Sequence, residues 1–396
     1  MKSILRFTLL LFFVTACNNN RDLGYSEIVP PSKENSFFPR LFTDNTGTVF
    51  MSWLEQSDQI YELKYATLSN NSWSNPTTIR SDSTWFINWA DFPSIIARNG
   101  VPMAAHWLKK VKGGSYAYHV NMATYSNKWN ETFTPHKDDT PTEHGFVSMI
   151  PSSDSTFAAL WLDGRKTHNR AESEYSDINK AMTLRGAFVN DENELIKEFL
   201  IDDSVCDCCN TSITKTKSGF VAAYRNRTSD EIRDIYVSRY TDGAWTNPRP
   251  VHNDNWKMPA CPVNGPAIDS FDNTVALAWF TGAEGNPHVQ MTISDDGGSS
   301  FISPISLDKQ NPLGRINLNM TESKIWVSWL SQNEEKSTLK VRVFDHSGQK
   351  LDEYSIADVT KERNGGFPQI SPFNDSIVIA YTDRSRGLPT IKTIIL

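Results

Sequence analysis

Beyond its first sixteen residues the sequence has no apolar run long enough to cross a bilayer, which takes about 20 residues as a helix. It contains no His-Glu-x-x-His, no Gly-x-Ser-x-Gly and no glycine-rich phosphate loop. Those absences leave zincin, α/β-hydrolase and P-loop chemistry without a motif. Charge is sparse, at 21% of residues, and Gly, Pro, Asn and Ser punctuate the chain heavily, which argues against a coiled coil or helical bundle. The net charge of −7 disfavours broad electrostatic attraction to nucleic acid or anionic lipid, although a local basic pocket stays open. Cysteine is scarce too, at five in 396 residues. What the chain does have is 21 Phe, 12 Tyr and 12 Trp within a 39% hydrophobic composition, enough apolar surface to exclude disorder as the main state. The length allows one large domain or two to three ordinary ones.

Residues 1–17 begin Met1-Lys2-Ser3, continue through an apolar stretch from Ile4 to Val14, and end Thr15-Ala16-Cys17. A basic start, a short apolar region and a small residue before the cleavage point describe a signal peptide. Val14-Thr15-Ala16-Cys17 also resembles a bacterial lipobox, which makes Cys17 the expected lipidated first residue; a plain secretory signal is the alternative. Residues 18–24 read as a tether and 25–396 as the folded part. Without Lys2 and Arg6 the mature chain carries 37 basic against 46 acidic residues. The expectation is an exported, lipid-anchored protein, periplasmic or surface-facing, that meets the membrane only through its N-terminal lipid.

One pattern then recurs along the chain: an apolar, β-rich run ending in an aromatic, followed by a polar turn. Its copies end at Trp53, Trp107, Trp161, Tyr224, Trp279, Trp329 and Tyr381, spaced by 54, 54, 63, 55, 50 and 52 residues. Short segments such as Phe38-Pro39-Arg40-Leu41, Phe92-Pro93-Ser94-Ile95 and Phe367-Pro368-Gln369-Ile370 precede the runs. Exits such as Trp73-Ser74-Asn75-Pro76 and Trp245-Thr246-Asn247-Pro248 follow. Each unit reads as four short antiparallel strands, and a period of about 40–55 residues with four strands marks a propeller blade. The fold class is therefore all-β, a single β-propeller of seven four-stranded antiparallel blades, with six as the alternative count. The seventh unit has room for only three strands, and the segment from Tyr25 to Pro30 is expected to add the missing outer strand and close the ring. The long 63-residue gap holds an insertion at 166–180, rich in charge and expected as a surface loop.

The fifth unit contains Ser294-Asp295-Asp296-Gly297-Gly298-Ser299-Ser300-Phe301. This run matches the Asp-box pattern Ser-x-Asp-x-Gly-x-x-aromatic at Ser294, Asp296, Gly298 and Phe301, a hairpin in which Asp296 caps turn amides and Phe301 packs back. On that run and the repeat, residues 25–396 resemble the sialidase-like, Asp-box (BNR-repeat) propellers. The resemblance implies a glycan-active or glycan-binding propeller, with the box itself structural. Two features depart from the family: its Arg-Ile-Pro-like motif is replaced by Pro39-Arg40-Leu41-Phe42, and its propellers have six blades. No catalytic residue is carried over.

In a propeller, the loop leading into each inner strand and the loop leaving the second strand open on the same face. The second-strand exits carry Arg165, Arg225, Arg227 and Arg384, and the fourth unit adds Glu231 and Arg233. Converging arginines would make a fork for a carboxylate, sulfate or phosphate; alternatively they pair with Asp163, Asp230, Asp234 and Asp383 and brace the blades. Tyr224 and Glu231 offer a nucleophile–carboxylate pair, with a core role the competing reading for Tyr224. Cys206, Cys208 and Cys209 lie just before the inner strand of the fourth unit and Cys261 just before that of the fifth, so all four thiols are expected together on this face. In an oxidising compartment they would form disulfides, one local and one to Cys261. The competing readings are a reactive thiol pair and a soft Cu or Zn site with Met258 and His252. His106 is expected to be structural, His144, His168, His252 and His288 solvated, and Trp85, Trp89 and Trp256 candidates for stacking on a sugar. Two functions follow: an exo-sialidase-like glycoside hydrolase acting on an anionic glycan, or a non-catalytic propeller lipoprotein binding glycan, protein or metal. In either case no nucleic acid, no organic cofactor and a monomer are expected.

Overall fold

A computed structural model describes residues 24–334 and 336–396. The signal segment, Cys17 and nearly all of the tether lie outside the described residues. Seven antiparallel sheets stand around one axis. Their inner strands are Ser36–Thr43, Ser94–Arg98, His144–Pro151, Ser212–Thr216, Ala267–Phe271, Pro312–Met320 and Gln369–Phe373. Each neighbours the next, and the last returns to the first. The sheets are numbered blades 1 to 7 in that order. Blade 2 pairs three strands, with the Met122–Phe133 bridge in the outer position.

The second strands explain the repeat seen in the sequence. Val49–Ser57, Val101–Lys110, Thr156–Asp163, Gly219–Arg225, Thr274–Thr281, Ile325–Gln332 and Ser376–Asp383 are covered on both faces by neighbouring blades. They therefore read as continuous apolar runs rather than as alternation, as strands buried on both faces do. All seven marker aromatics are buried between blades. Three of the indoles donate to carboxylates: Trp161 Nε1 to Asp163 at 3.0 Å, Trp279 to Asp254 at 2.7 Å and Trp329 to Asp308 at 2.8 Å. Such a partner offsets the desolvation of the indole N–H, which in Trp53 goes unmatched, and each indole adds a large apolar area to the core.

The hairpin after the third strand of blade 5 is locked from within. Ser294 Oγ donates to Asp296 Oδ1 at 2.7 Å and accepts from Gly298 N at 2.9 Å, while Asp296 accepts from Ser300 N at 2.8 Å. Closure of the ring falls to Ser26–Ile28, which pairs antiparallel with Thr390–Ile395 in blade 7. Tyr25 Oη donates to Ile356 O at 2.9 Å and Thr393 Oγ1 to Ile28 O at 2.8 Å. Deleting the chain through Pro30 removes this strand and about four hydrogen bonds, at about 1 kcal/mol each. The denaturant midpoint of the truncated protein is expected to correspond to a loss of about 2–4 kcal/mol, and an unchanged midpoint would show that the clasp contributes nothing.

Candidate functional site

The lead-in loops and second-strand exits of blades 2 to 5 meet at one rim. The turn Cys206-Asp207-Cys208-Cys209 is anchored by Cys206 N donating to Arg225 O at 3.0 Å. The loop carrying Cys261 packs directly on it: a Cβ at Gly265 would stand 2.0 Å from Asn210 O, so only glycine permits the approach. The insertion at 166–180 folds into three short 3-10 turns. It is a surface loop, as expected, and it also covers the thiols. Tyr175 lies 3.7 Å from Cys261 Sγ and Arg170 donates to Asp207 at 2.7 Å.

Cys206 Sγ lies 3.6 Å from Cys209 Sγ and 4.0 Å from Cys208 Sγ, and the three sulfurs fall within 4.8 Å of one another. All four cysteines are free thiols. Cys206 and Cys209 are buried, Cys208 is half-buried and Cys261 is exposed beside Cys208. Hydrogen bonds from Cys208 and Cys209, with the Arg233 charge behind them, drive the Cys206 thiol well below its ordinary value. Burial and the bond to Cys206 push Cys209 up to about 12. Within the cluster, Cys206 is the sulfur that gives up its proton most readily.

The arginines around it are committed to the protein. Glu231 accepts from Arg227 at 2.7 Å and from Arg233 at 2.6 Å. These two bonds keep the Glu231 carboxyl below its usual range in spite of desolvation. Arg227 stacks on Tyr175 with 4.6 Å between guanidinium and ring. Arg225 donates to the carbonyls of Asn264, Phe280 and Arg233 and stacks on Trp256. Arg165 forks onto Asp163 at 2.6 and 2.7 Å. Arg384 donates to Asn364 O at 2.8 Å on blade 7, among different neighbours. Tyr224 is fully buried and donates to Asp202 at 2.8 Å. Arg225, Arg227, Arg233, Glu231 and the four cysteines come together; Arg165, Arg384 and Tyr224 do not join them. Two buried donors of the group, Arg227 Nε and Arg233 Nη1, have no hydrogen-bond partner.

Several groups at this rim gave no signal as single residues. His144 is fully buried rather than solvated. It stacks on His136 with centroids 3.8 Å apart, and both rings point a nitrogen at Asp138, at 3.2 and 3.3 Å. Burial lowers His136 to about 4, which keeps it neutral. Hydrogen bonds from His136, His144 and Thr140 outweigh desolvation and hold Asp138 far below the usual carboxylate range. With His119, these rings form a nitrogen-rich set. Asp138 already occupies the point at which the His136 and His144 nitrogens converge, whereas no other group stands between the sulfurs. The stacking candidates Trp85 and Trp256 are buried, and Trp89 is half-buried against Phe367. Next to the thiols, Tyr118 Oη lies 2.9 Å from Asp91 Oδ2 and 2.8 Å from Glu143 Oε1. A phenol has one hydrogen, so the second contact requires a proton on a carboxyl. Desolvation pushes Asp91 up to about 7 and Glu143 up to about 8.

No family profile and no curated protein matches this chain. Solved structures do resemble it. The phage phi92 endosialidase aligns over 94% of this chain and 68% of its own at 9% identity, with a TM-score of 0.50. A Hadza microbial sialidase aligns over 74% of this chain at 13% identity and a TM-score of 0.45, and the aligned part is 63% of that protein. Pyrococcus horikoshii acylaminoacyl peptidase aligns over 89% of this chain and 50% of its own at 12% identity, with a TM-score of 0.47. At these identities the likeness is one of fold.

An acid whose folded-state value is raised holds its proton more tightly folded than unfolded, so its stabilising contribution is full at low pH and fades as the pH rises. For Glu143 that window runs from about 4.5 to about 8. Urea midpoints are expected to fall between pH 5 and 8.5, and Glu143→Gln should flatten the fall by about 1 kcal/mol or more. Parallel curves for the two proteins would remove the shared proton.

Proposed function

We propose that this rim is a soft-metal centre, with Cys206, Cys208 and Cys209 as thiolate ligands and Cys261 in reach as a fourth. The observation that carries the reading is the spacing of the sulfurs. Thiolates at about 2.3 Å from one tetrahedral ion stand about 3.8 Å apart, and those around a trigonal ion about 4.0 Å. The separations of 3.6 and 4.0 Å fit that geometry. Soft thiolates select Cu(I) or Zn. Buried arginine charge next to Cys206 favours the deprotonated sulfur a metal requires, and the 166–180 loop shields the centre from solvent. Combined with the leader ending at Cys17, the reading is a lipid-anchored, extracytoplasmic, monomeric propeller that holds a metal ion at its rim.

A second reading rests on a separate groove of about 520 Å³ at the rim of blades 1, 2 and 7, lined by Tyr61, Trp89, Arg363 and Arg384 among others. An aromatic face with two guanidinium groups suits an acidic sugar. On this reading the chain is a distant sialidase-like, Asp-box propeller, supported by the Ser294–Asp296–Gly298 bonding, and Arg384→Ala weakens binding of a sialylated oligosaccharide while Cys209→Ala does not.

Protein beginning at Asn18 is expected to carry about one Cu or Zn per chain by elemental analysis, with its thiols slow to react until a chelator is added. Cys206→Ser and Cys209→Ala should each lose the metal at least tenfold more readily. Metal-free protein whose four cysteines are oxidised in pairs would sink the metal reading.

A further inference from the structure

The rim does not use Arg40, which lines the axis of the ring. Arg40 belongs to the inner strand of blade 1, where the register shifts between Phe37 and Arg40. Such an irregularity re-aims a side chain. Arg40 lines an axial channel of about 160 Å³ bounded by the inner strands of all seven blades. It also borders an adjoining cavity of about 20 Å³ beneath Asp91.

Arg225, Arg227, Arg233 and Arg315 are deeply buried, and each is matched by carbonyls or by Glu231. Arg40, half-buried at the channel wall, is not. Among the described residues no side chain or carbonyl accepts a hydrogen bond from its guanidinium and no carboxylate pairs with it; burial alone lowers it, to about 10. A guanidinium at that value is still charged at neutral pH.

No titratable group around it pairs with the guanidinium. His106, bonded through Nδ1 to the channel-lining Ser94 at 2.9 Å, is driven to about 3 by burial and then by the Arg40 charge, so it is neutral. Asp91 is engaged with Tyr118 and raised by burial. Asp269, further along the channel, is raised by burial too and accepts from Met320 N and Ser270 N. A guanidinium in a narrow channel is screened less than one in bulk water and attracts a counter-ion.

We infer that the axial channel binds a small inorganic anion on Arg40, with Ser94 and the hydroxyl and amide side chains of Ser212 and Asn317 around it. The channel has room for a halide or an oxyanion of about the size of sulfate. The ion neutralises a guanidinium that no protein group matches, at the point where all seven blades meet, so its binding tightens the ring. This site is independent of the thiol centre.

Crystals of the protein soaked in sodium bromide are expected to show an anomalous peak in contact with the Arg40 guanidinium. In solution, replacing gluconate by bromide at equal ionic strength should raise the melting temperature by about 2 °C or more at saturation. Arg40→Met should lose that rise, and in gluconate should melt at or above the unmodified protein because an unmatched charge is gone. Water alone beside Arg40, or an equal rise in Arg40→Met, would overturn the proposal. If Arg40→Met does not fold, the bromide peak in the unmodified protein decides by itself.

Discussion

Circular closure is the constraint from which the rest of this molecule follows. Seven sheets whose second strands are apolar on both faces have no stable surface to present, so each must be covered by the next. The ring ends only when blade 7 meets blade 1 and Ser26–Ile28 pairs with Thr390–Ile395. The strand order then puts every lead-in loop and every second-strand exit at one rim. Residues as distant as Asp91, Glu143, Cys206 and Cys261 become neighbours without any of them being adjacent in sequence.

At that rim, charge matching organises the site. Glu231 sits between Arg227 and Arg233, and Asp207 between Arg170 and Arg227. All of these groups except Arg170 are largely shielded from solvent, so removing one partner leaves an uncompensated buried charge, which costs far more than a surface pair would. The Arg233 charge behind the sulfurs favours the deprotonated form of Cys206. The same accounting singles out Arg40, with which no carboxylate pairs. The two proposals, a soft cation at the sulfurs and a small anion on the axis, both start from where fixed charges lack partners.

The architecture was legible because its signal repeats. One buried aromatic per blade, returning at about 55 residues, carries the blade count, and the short seventh unit pointed to the N-terminal clasp. The site was legible only where residue type is rare: the cysteines stand out because there are five in the whole chain. Histidine, aspartate and glutamate in polar loops look solvated one at a time, and so His136, Asp138 and His144 stayed hidden. Their position in the loop leading into blade 3, the same class of loop as Cys206–Cys209, was the available signal. The arginines could be counted from the sequence but their partners could not. Glu231 rather than the neighbouring Asp230 takes Arg227 and Arg233, a choice made by backbone conformation at Glu231, which has a φ of 60°.

The central claim is that these sulfurs share one ion. Metal-edge X-ray absorption on the purified protein tests it most directly, because it reads the identity and distance of the ligating atoms. The account expects three to four sulfur scatterers at about 2.3 Å. A first shell of nitrogen and oxygen alone would contradict it, and would move the metal away from Cys206, Cys208 and Cys209.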